Sequence, residues 1–326
     1  MTLGIRALTT SSEYRLSAPQ PKDLWSARNP AEWKRIYLSQ QHNLEPRVMD
    51  LLASLPTISV MQGFLDRALA MKLMFHLIGG LITEYHQMHG DGISHESTQS
   101  RKRELETAIR NFDHAFSRDI CASYIGSFIV SYLSMTLKVS VGNIEVLVGK
   151  AGERESREMY RIMKDWPETS EAREAIWHAG QILRLFKLLY RLTSFQIIMA
   201  YHAGLVLFAY SVLSCVRGHF PTTQNASELC LNDMQSAHAE EFIRNWSTEP
   251  MLRSDFRGTE RNVTSLLATK EAVEIMSEII LNKACNCEEL SPRLVNGLVK
   301  LLKDLASAIQ IIGGYPFPPG IQFDRF

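Results

Sequence analysis

An excess of charge of either sign is what this sequence most plainly lacks. Its 35 Lys and Arg residues balance 35 Asp and Glu, so the formal net charge over 326 residues is zero. A chain that grips phosphate backbones by itself carries a cationic surplus. Direct nucleic-acid binding is therefore not expected, although Arg101-Lys102-Arg103 forms a local basic run. The five cysteines, Cys121, Cys215, Cys230, Cys285 and Cys287, are odd in number and scattered, which argues for free thiols in a reducing compartment rather than a disulfide framework. Cys285-x-Cys287 is spaced too tightly for the usual zinc knuckle and has no second pair nearby. Met1–Ser12 is short of apolar residues, so no secretory leader is expected. Alternating strand runs, internal repeats, a Gly-x-Ser-x-Gly elbow, a phosphate-binding loop, a His-Glu-x-x-His pair and a dinucleotide fingerprint are all missing.

Apolar residues at helical spacing are present almost throughout, and hydrophobic residues make up 45% of the chain, enough to bury a sizeable core. The pattern predicts helices over Ala31–Ser39, Pro46–Ser54, Ser59–Met88, Arg101–Phe116, Asp119–Lys138, Ser156–Trp166, Ser170–Leu192, Phe195–Val216, Leu231–Trp246, Thr259–Ala284 and Pro292–Ile312. Turn chemistry separates them at His89–Gly92, Val148–Gly152, Gly218–Pro221 and Gly313-Gly314. Ser170 and Ser291-Pro292 read as helix starts. The expected fold class is all-α, a large irregular bundle of about ten to twelve helices with no substantial sheet. Residues 1–22 read as an irregular opening segment, 23–312 as one helical domain and 313–326 as an irregular tail.

Residues 175–210 form two long apolar segments whose few charges are Arg184, Lys187 and Arg191. Such helices belong inside a large helical body or a bilayer. Ile197–Val216 is long enough to span a membrane, but it contains His202, Gly204, two Ser and two Tyr, and its flanks lack basic asymmetry. The protein interior is the better reading. A membrane-associated helical protein stands as one alternative.

Catalytic signals are sparse. Asn232-Asp233-x-x-Ser236-x-x-x-Glu240 matches the magnesium-ligand spacing of class I terpenoid cyclases, and a helix would place Asn232, Ser236 and Glu240 on one face. Such a site needs an aspartate-rich cluster opposite, and the chain contains no Asp-Asp pair. A magnesium-dependent terpenoid-synthase-like enzyme is thus the chemical alternative, and a polar helix start with Asn232 or Asp233 as its cap is the plainer one. His86, His89 and His95 gather at a glycine turn without a completing ligand set, while His178 and His202 read as core histidines. Any effector pocket is expected between the two long helices, lined by Trp177, His178, Gln181, His202 and Tyr210. No catalytic, cofactor or metal residue is assigned.

Trp177-His-Ala-Gly-Gln-Ile-Leu-Arg184 followed by Tyr201-His-Ala-Gly-Leu-Val-Leu-Phe-Ala-Tyr210 resembles the late core of the fungal-specific transcription factor regulatory domain, in the form found with N-terminal classical zinc fingers. Tyr14–Pro19, Asp23-Leu-Trp25 and Ala31-Glu-Trp33 are similar to the entry segment of that module's second half. Leu147–Gly152 and Trp166 fall where the family places a glycine turn and an aromatic helix end. The resemblance spans about residues 14–312. It implies a non-enzymatic nuclear regulator of RNA polymerase II transcription that contacts co-regulators or the transcription machinery. It also implies a homodimer or a heterodimer with a complete regulator, reaching DNA only indirectly and having no membrane partner. Zinc in full-length members sits in fingers that five scattered cysteines cannot build, so no cofactor is expected in this chain. The family's early half is also expected to be absent, which predicts an exposed apolar patch or reliance on self-association.

Overall fold

The computed structural model describes residues 20, 22–39, 66–90, 95–116, 123–216, 227–233, 242–244, 248–254, 263–284 and 292–308, of which 81% are helical. The all-α expectation holds. The helices are α1 (Lys22–Trp25), α2 (Pro30–Ser39), α3 (Arg67–Gly90), α4 (His95–Phe116), α5 (Ser123–Lys138), α6 (Val141–Leu147), α7 (Glu153–Met163), α8 (Ser170–Leu188), α9 (Ser194–Val216), α10 (Thr269–Ala284) and α11 (Pro292–Ala308). A 3-10 turn covers Trp166–Glu168, and short strands β1 (Ser227–Cys230), β2 (Thr248–Arg253) and β3 (Val263–Ser265) lie between α9 and α10. The expected helix Pro46–Ser54 falls outside the described residues. Backbone contacts gather into two units, Met1–Leu133 and Ser134–Phe326, the division falling within α5.

In the first unit, α3 and α4 pack together. Asp66 starts α3 by accepting from the Leu69 amide at 3.0 Å. Met71, Met74, Phe75, Ile78, Leu81, Ile82 and Tyr85 then recur every three or four residues and are buried. From α4, Leu105, Ile109, Phe112 and Phe116 supply the matching stripe. The Arg67 guanidinium ties the two ends, donating to the Ala115 carbonyl at 2.8 Å and lying 5.9 Å from the Phe116 ring centre. In α2, by contrast, no residue is buried, and Trp33 stacks on Tyr37 at 4.9 Å.

The second unit is built around α9. This helix packs against α6, α8, α10 and α11, and 83% of its most apolar window is buried in protein. Burial of that extent is what the central helix of a folded helical body shows. Buried residues lie on every side of it, which a two-helix contact would not achieve. Each fully covered Leu, Ile or Phe contributes roughly 1.5–3 kcal/mol. At Gly204 an added Cβ would lie 3.3 Å from Leu302, so α11 approaches α9 closely there. At the α8–α9 connector the Gln196 side chain reaches back to accept from the Thr193 amide at 2.7 Å, one half of a capping box.

Several local expectations need correction. Thr169, not Ser170, caps α8, accepting from the Ala172 amide at 3.0 Å. That helix ends at Leu188 rather than Leu192. The helix expected from Thr259 starts only at Thr269, because Val263–Ser265 pairs antiparallel with β2. Leu231–Asp233 is a turn following β1 rather than the start of a helix. β1 runs parallel to β2, and the order is β1-β2-β3. The glycine turn at Val148–Gly152 is present as expected, with Gly149 and Gly152 at φ of 100° and 108°. The turns at Gly218–Pro221 and Gly313-Gly314 lie outside the described residues.

Candidate functional site

Polar groups in the second unit concentrate along α8 and α9, where the sequence places its candidate pocket. Gly180 and Gln181 form the first cluster. A Cβ on Gly180 would lie 2.4 Å from the Leu231 carbonyl oxygen, so only glycine lets the turn after β1 rest on α8. Gln181 locks that contact, its amide donating to the Leu231 carbonyl at 2.8 Å and the Asp233 carbonyl at 3.0 Å. Its own oxygen accepts from Arg184 Nε at 2.7 Å. Both ends of this amide are committed to the protein.

Asn232 continues the same device. It donates to the Arg253 carbonyl at 2.8 Å and accepts from the Arg253 amide at 2.9 Å, imitating one more residue of strand pairing. Asp233 pairs with the Arg253 guanidinium. The side chains proposed from spacing as magnesium ligands therefore start in a turn, with the Asn232 oxygen already accepting a backbone hydrogen. Ser236 and Glu240 lie outside the described residues. Among the described residues no group of three His, Cys, Asp or Glu side chains converges as a metal site would require. His86 contacts the Tyr85 ring, and the His89 and His95 side chains and the Cys285-x-Cys287 pair are outside the described set.

Arg173 is a second anchor, 6% exposed, donating from Nε to the Ile243 carbonyl at 2.8 Å and from Nη1 to the Glu168 carbonyl at 3.3 Å. Burial lowers its pKa, while Tyr210 and Glu174 oppose that shift. Tyr210 meets Trp166 edge to face at 6.2 Å, and burial pushes its phenol up to about 12. The Trp166 indole N–H is buried without an acceptor among the described residues.

The two histidines occupy separate charged settings. His178 sits one turn after Glu174, which pairs with Lys138 at 2.6 Å. Desolvation, aided by the Lys138 charge, holds its pKa down at about 4. His202 Nε2 lies 4.0 Å from Glu145 Oε1, beyond a hydrogen bond, while the other Glu145 oxygen binds Lys150 at 2.6 Å. Burial drives His202 down to about 3, and burial with the Glu145 charge raises the Tyr201 phenol. Both imidazoles are neutral at physiological pH and weak as bases. Trp177 is part-exposed on α8.

Of the five pocket residues, Gln181 thus serves the turn after β1 and Tyr210 packs on the 3-10 turn, while His178 feels the Lys138 charge and His202 lies 4.0 Å from Glu145. Sequence reasoning missed Gly180, Arg173, Arg253 and Glu145. A glycine inside a strongly helical run was the available signal for the first. The others act through backbone carbonyls and amides remote in sequence, which no local pattern reveals. Comparison with known proteins finds no matching family model, no matching curated protein and no matching solved structure.

Proposed function

We propose that this chain is a non-enzymatic regulatory domain of a fungal RNA polymerase II transcription factor. It would work in the nucleus through contacts with co-regulators or a dimer partner, a DNA-binding module being supplied elsewhere. The resemblance of Trp177–Arg184 and Tyr201–Tyr210 to that domain's late core motivates the reading. The observation that carries it physically is how the polar groups of this pair are used. Gln181, Asn232 and Arg173 are spent on holding backbone carbonyls and amides, and His178 and His202 are held neutral. Polar groups spent in this way support a scaffold that presents surfaces.

Fusion of the full chain to a heterologous DNA-binding domain, read with a reporter gene in fungal cells, tests the proposal. The expected result is a change in reporter output relative to the DNA-binding domain alone. An unchanged output from a fusion present at normal levels in the nucleus would refute it. So would magnesium-dependent release of diphosphate from an isoprenoid substrate that is lost in Glu240→Ala.

A further inference from the structure

Asn296 and Gly297 form the one Asn-Gly pair in the sequence, and the pair lies in the second turn of α11. Glycine is unfavourable there, because it destabilises a helix interior relative to alanine. Gly180 and Gly204 answer that cost by letting a neighbour come close, whereas a Cβ on Gly297 would meet nothing within 4 Å. Asn296 is exposed, and its side chain makes no hydrogen bond among the described residues. Arg293 and Lys300, one turn to either side on the same face, are exposed as well. The opposite face carries the packing: Val295, Val299, Leu302 and Leu305 are buried, and α11 lies against α9 and α10.

These placements suit one reaction, intramolecular deamidation. The main-chain nitrogen of the residue after an asparagine must reach the side-chain carbonyl carbon, and a Cβ on that residue obstructs the approach. At Gly297 there is no Cβ and no crowding neighbour, and water has access to the exposed Asn296 amide. The two flanking cations favour the ionised nitrogen and the oxyanion that forms next. One feature opposes the reaction. In the closed helix the Gly297 N–H runs along the axis toward the Arg293 carbonyl, away from the Asn296 side chain.

We propose that Asn296 is a deamidation site gated by local opening of α11, and that its isoaspartyl product loosens this helix from α9 and α10. On opening, the Gly297 nitrogen loses its proton to solvent and bonds to Asn296 Cγ. The Cγ–Nδ2 bond then breaks, and Nδ2 leaves as ammonia with a proton taken from water, so that a five-membered imide remains. Water adds to one of the two imide carbonyls. Ring opening at Cγ gives aspartate, and opening at the main-chain carbonyl gives isoaspartate, with the chain running through Cγ. The aspartate form keeps the backbone and sets a negative charge near the helix N-terminus, which the helix dipole favours. The isoaspartyl form inserts one extra main-chain carbon, so the amides that follow no longer fall opposite their carbonyl partners, and Val299 and Leu302 leave register with Val295. Other described asparagines lack this setting, since Asn29 precedes proline, Asn143 precedes the buried Ile144 and both ends of the Asn232 amide are bonded. The proposal is independent of the transcription reading, because it concerns the covalent chemistry of α11 alone.

Incubation of the full chain at mildly alkaline pH, followed by peptide mapping that separates aspartate from isoaspartate, tests the proposal. Conversion is expected at Asn296 while Asn143 and Asn232 stay intact, and it should be at least about ten-fold faster in urea, where the helix is lost. Lys303→Gly, an exposed change in α11 remote from the reacting atoms, should raise the native rate roughly five-fold through a larger open population. Gly297→Ala should lower the rate by about that factor or more. Neither substitution touches the buried stripe, so the circular dichroism spectrum should match that of wild type. In the aged protein, hydrogen exchange of the α11 amides should quicken in molecules carrying isoaspartate and not in those carrying aspartate. Any one of four results would overturn the proposal: Asn296 intact after the other asparagines have converted, equal rates in folded and urea-unfolded chains, a rate indifferent to Lys303→Gly, or unaltered α11 exchange in the isoaspartyl form.

Discussion

Replacing Gly180 by alanine adds one methyl group to the interior of α8, a change that in an uncrowded helix stabilises by roughly 1 kcal/mol. Here the sign should reverse. The new Cβ would stand 2.4 Å from the Leu231 carbonyl oxygen, 2.5 Å from its Cβ and 2.6 Å from its carbonyl carbon. Two of those atoms are backbone, so no side-chain rotation relieves the overlap. Either α8 or the turn after β1 must retreat by about an ångström to reach ordinary contact. Retreat of the turn stretches both hydrogen bonds from Gln181, each worth about 1 kcal/mol net and more where a buried group is left unpaired. It also strains the Asn232–Arg253 pairing that continues β1. With overpacking at about 1–3 kcal/mol, the net loss should be roughly 2–4 kcal/mol. Urea denaturation of wild type and variant measures it through the shift in midpoint at unchanged slope. Gly79→Ala and Gly80→Ala are the internal controls, because nothing lies within 4 Å of a Cβ at either position. These should be neutral or stabilising by up to about 1 kcal/mol. In a double-mutant cycle, Gly180→Ala and Gln181→Met should fall short of additivity, since both disable the same contact. A Gly180→Ala protein as stable as wild type would refute the close approach and the role given to Gln181.

Acid stability follows from the histidines. His178 and His202 are lowered to about 4 and about 3 in the folded chain from an ordinary 6.5, mainly by burial, and burial lowers His76 too. The unfolded chain therefore binds more protons below pH 6.5, and folding stability should fall as the pH drops from there toward 4, by up to about 1.4 kcal/mol per pH unit for each of the buried His178 and His202. Denaturation midpoints across that window check this, and His178→Gln and His202→Gln should each flatten the slope. At Gly152, φ of 108° and a Cβ position 3.2 Å from a Glu155 carboxylate oxygen predict that Gly152→Ala costs roughly 1–2 kcal/mol, whereas the same change at Gly297, with open space around its Cβ, should not destabilise. Equal effects of the two substitutions on melting temperature would contradict this.

Much of the helical layout was legible in the chain. The apolar run of α9 demanded cover on every face, the three-to-four spacing in α3 and α4 demanded a facing stripe, and Gly149 and Gly152 marked the turn between α6 and α7. Periodicity and turn chemistry act over a few residues, so a single sequence determines them. The end of α8 was not legible, for the helix stops at Leu188, four residues before the periodic pattern suggested. The sheet was not legible, because strands of four, six and three residues are too short to display alternation. Nor was the fate of the polar residues. Asn232 had the spacing of a metal ligand and turned out to extend a strand pairing. Gln181, expected to line a pocket, fastens a turn fifty residues away in sequence. A side chain's type states what it is able to bond to, whereas its partner is whatever group the packed backbone brings within about 3 Å. Thus local order and the demand for burial belong to the sequence, and the use made of each buried polar group was decided only when distant segments met.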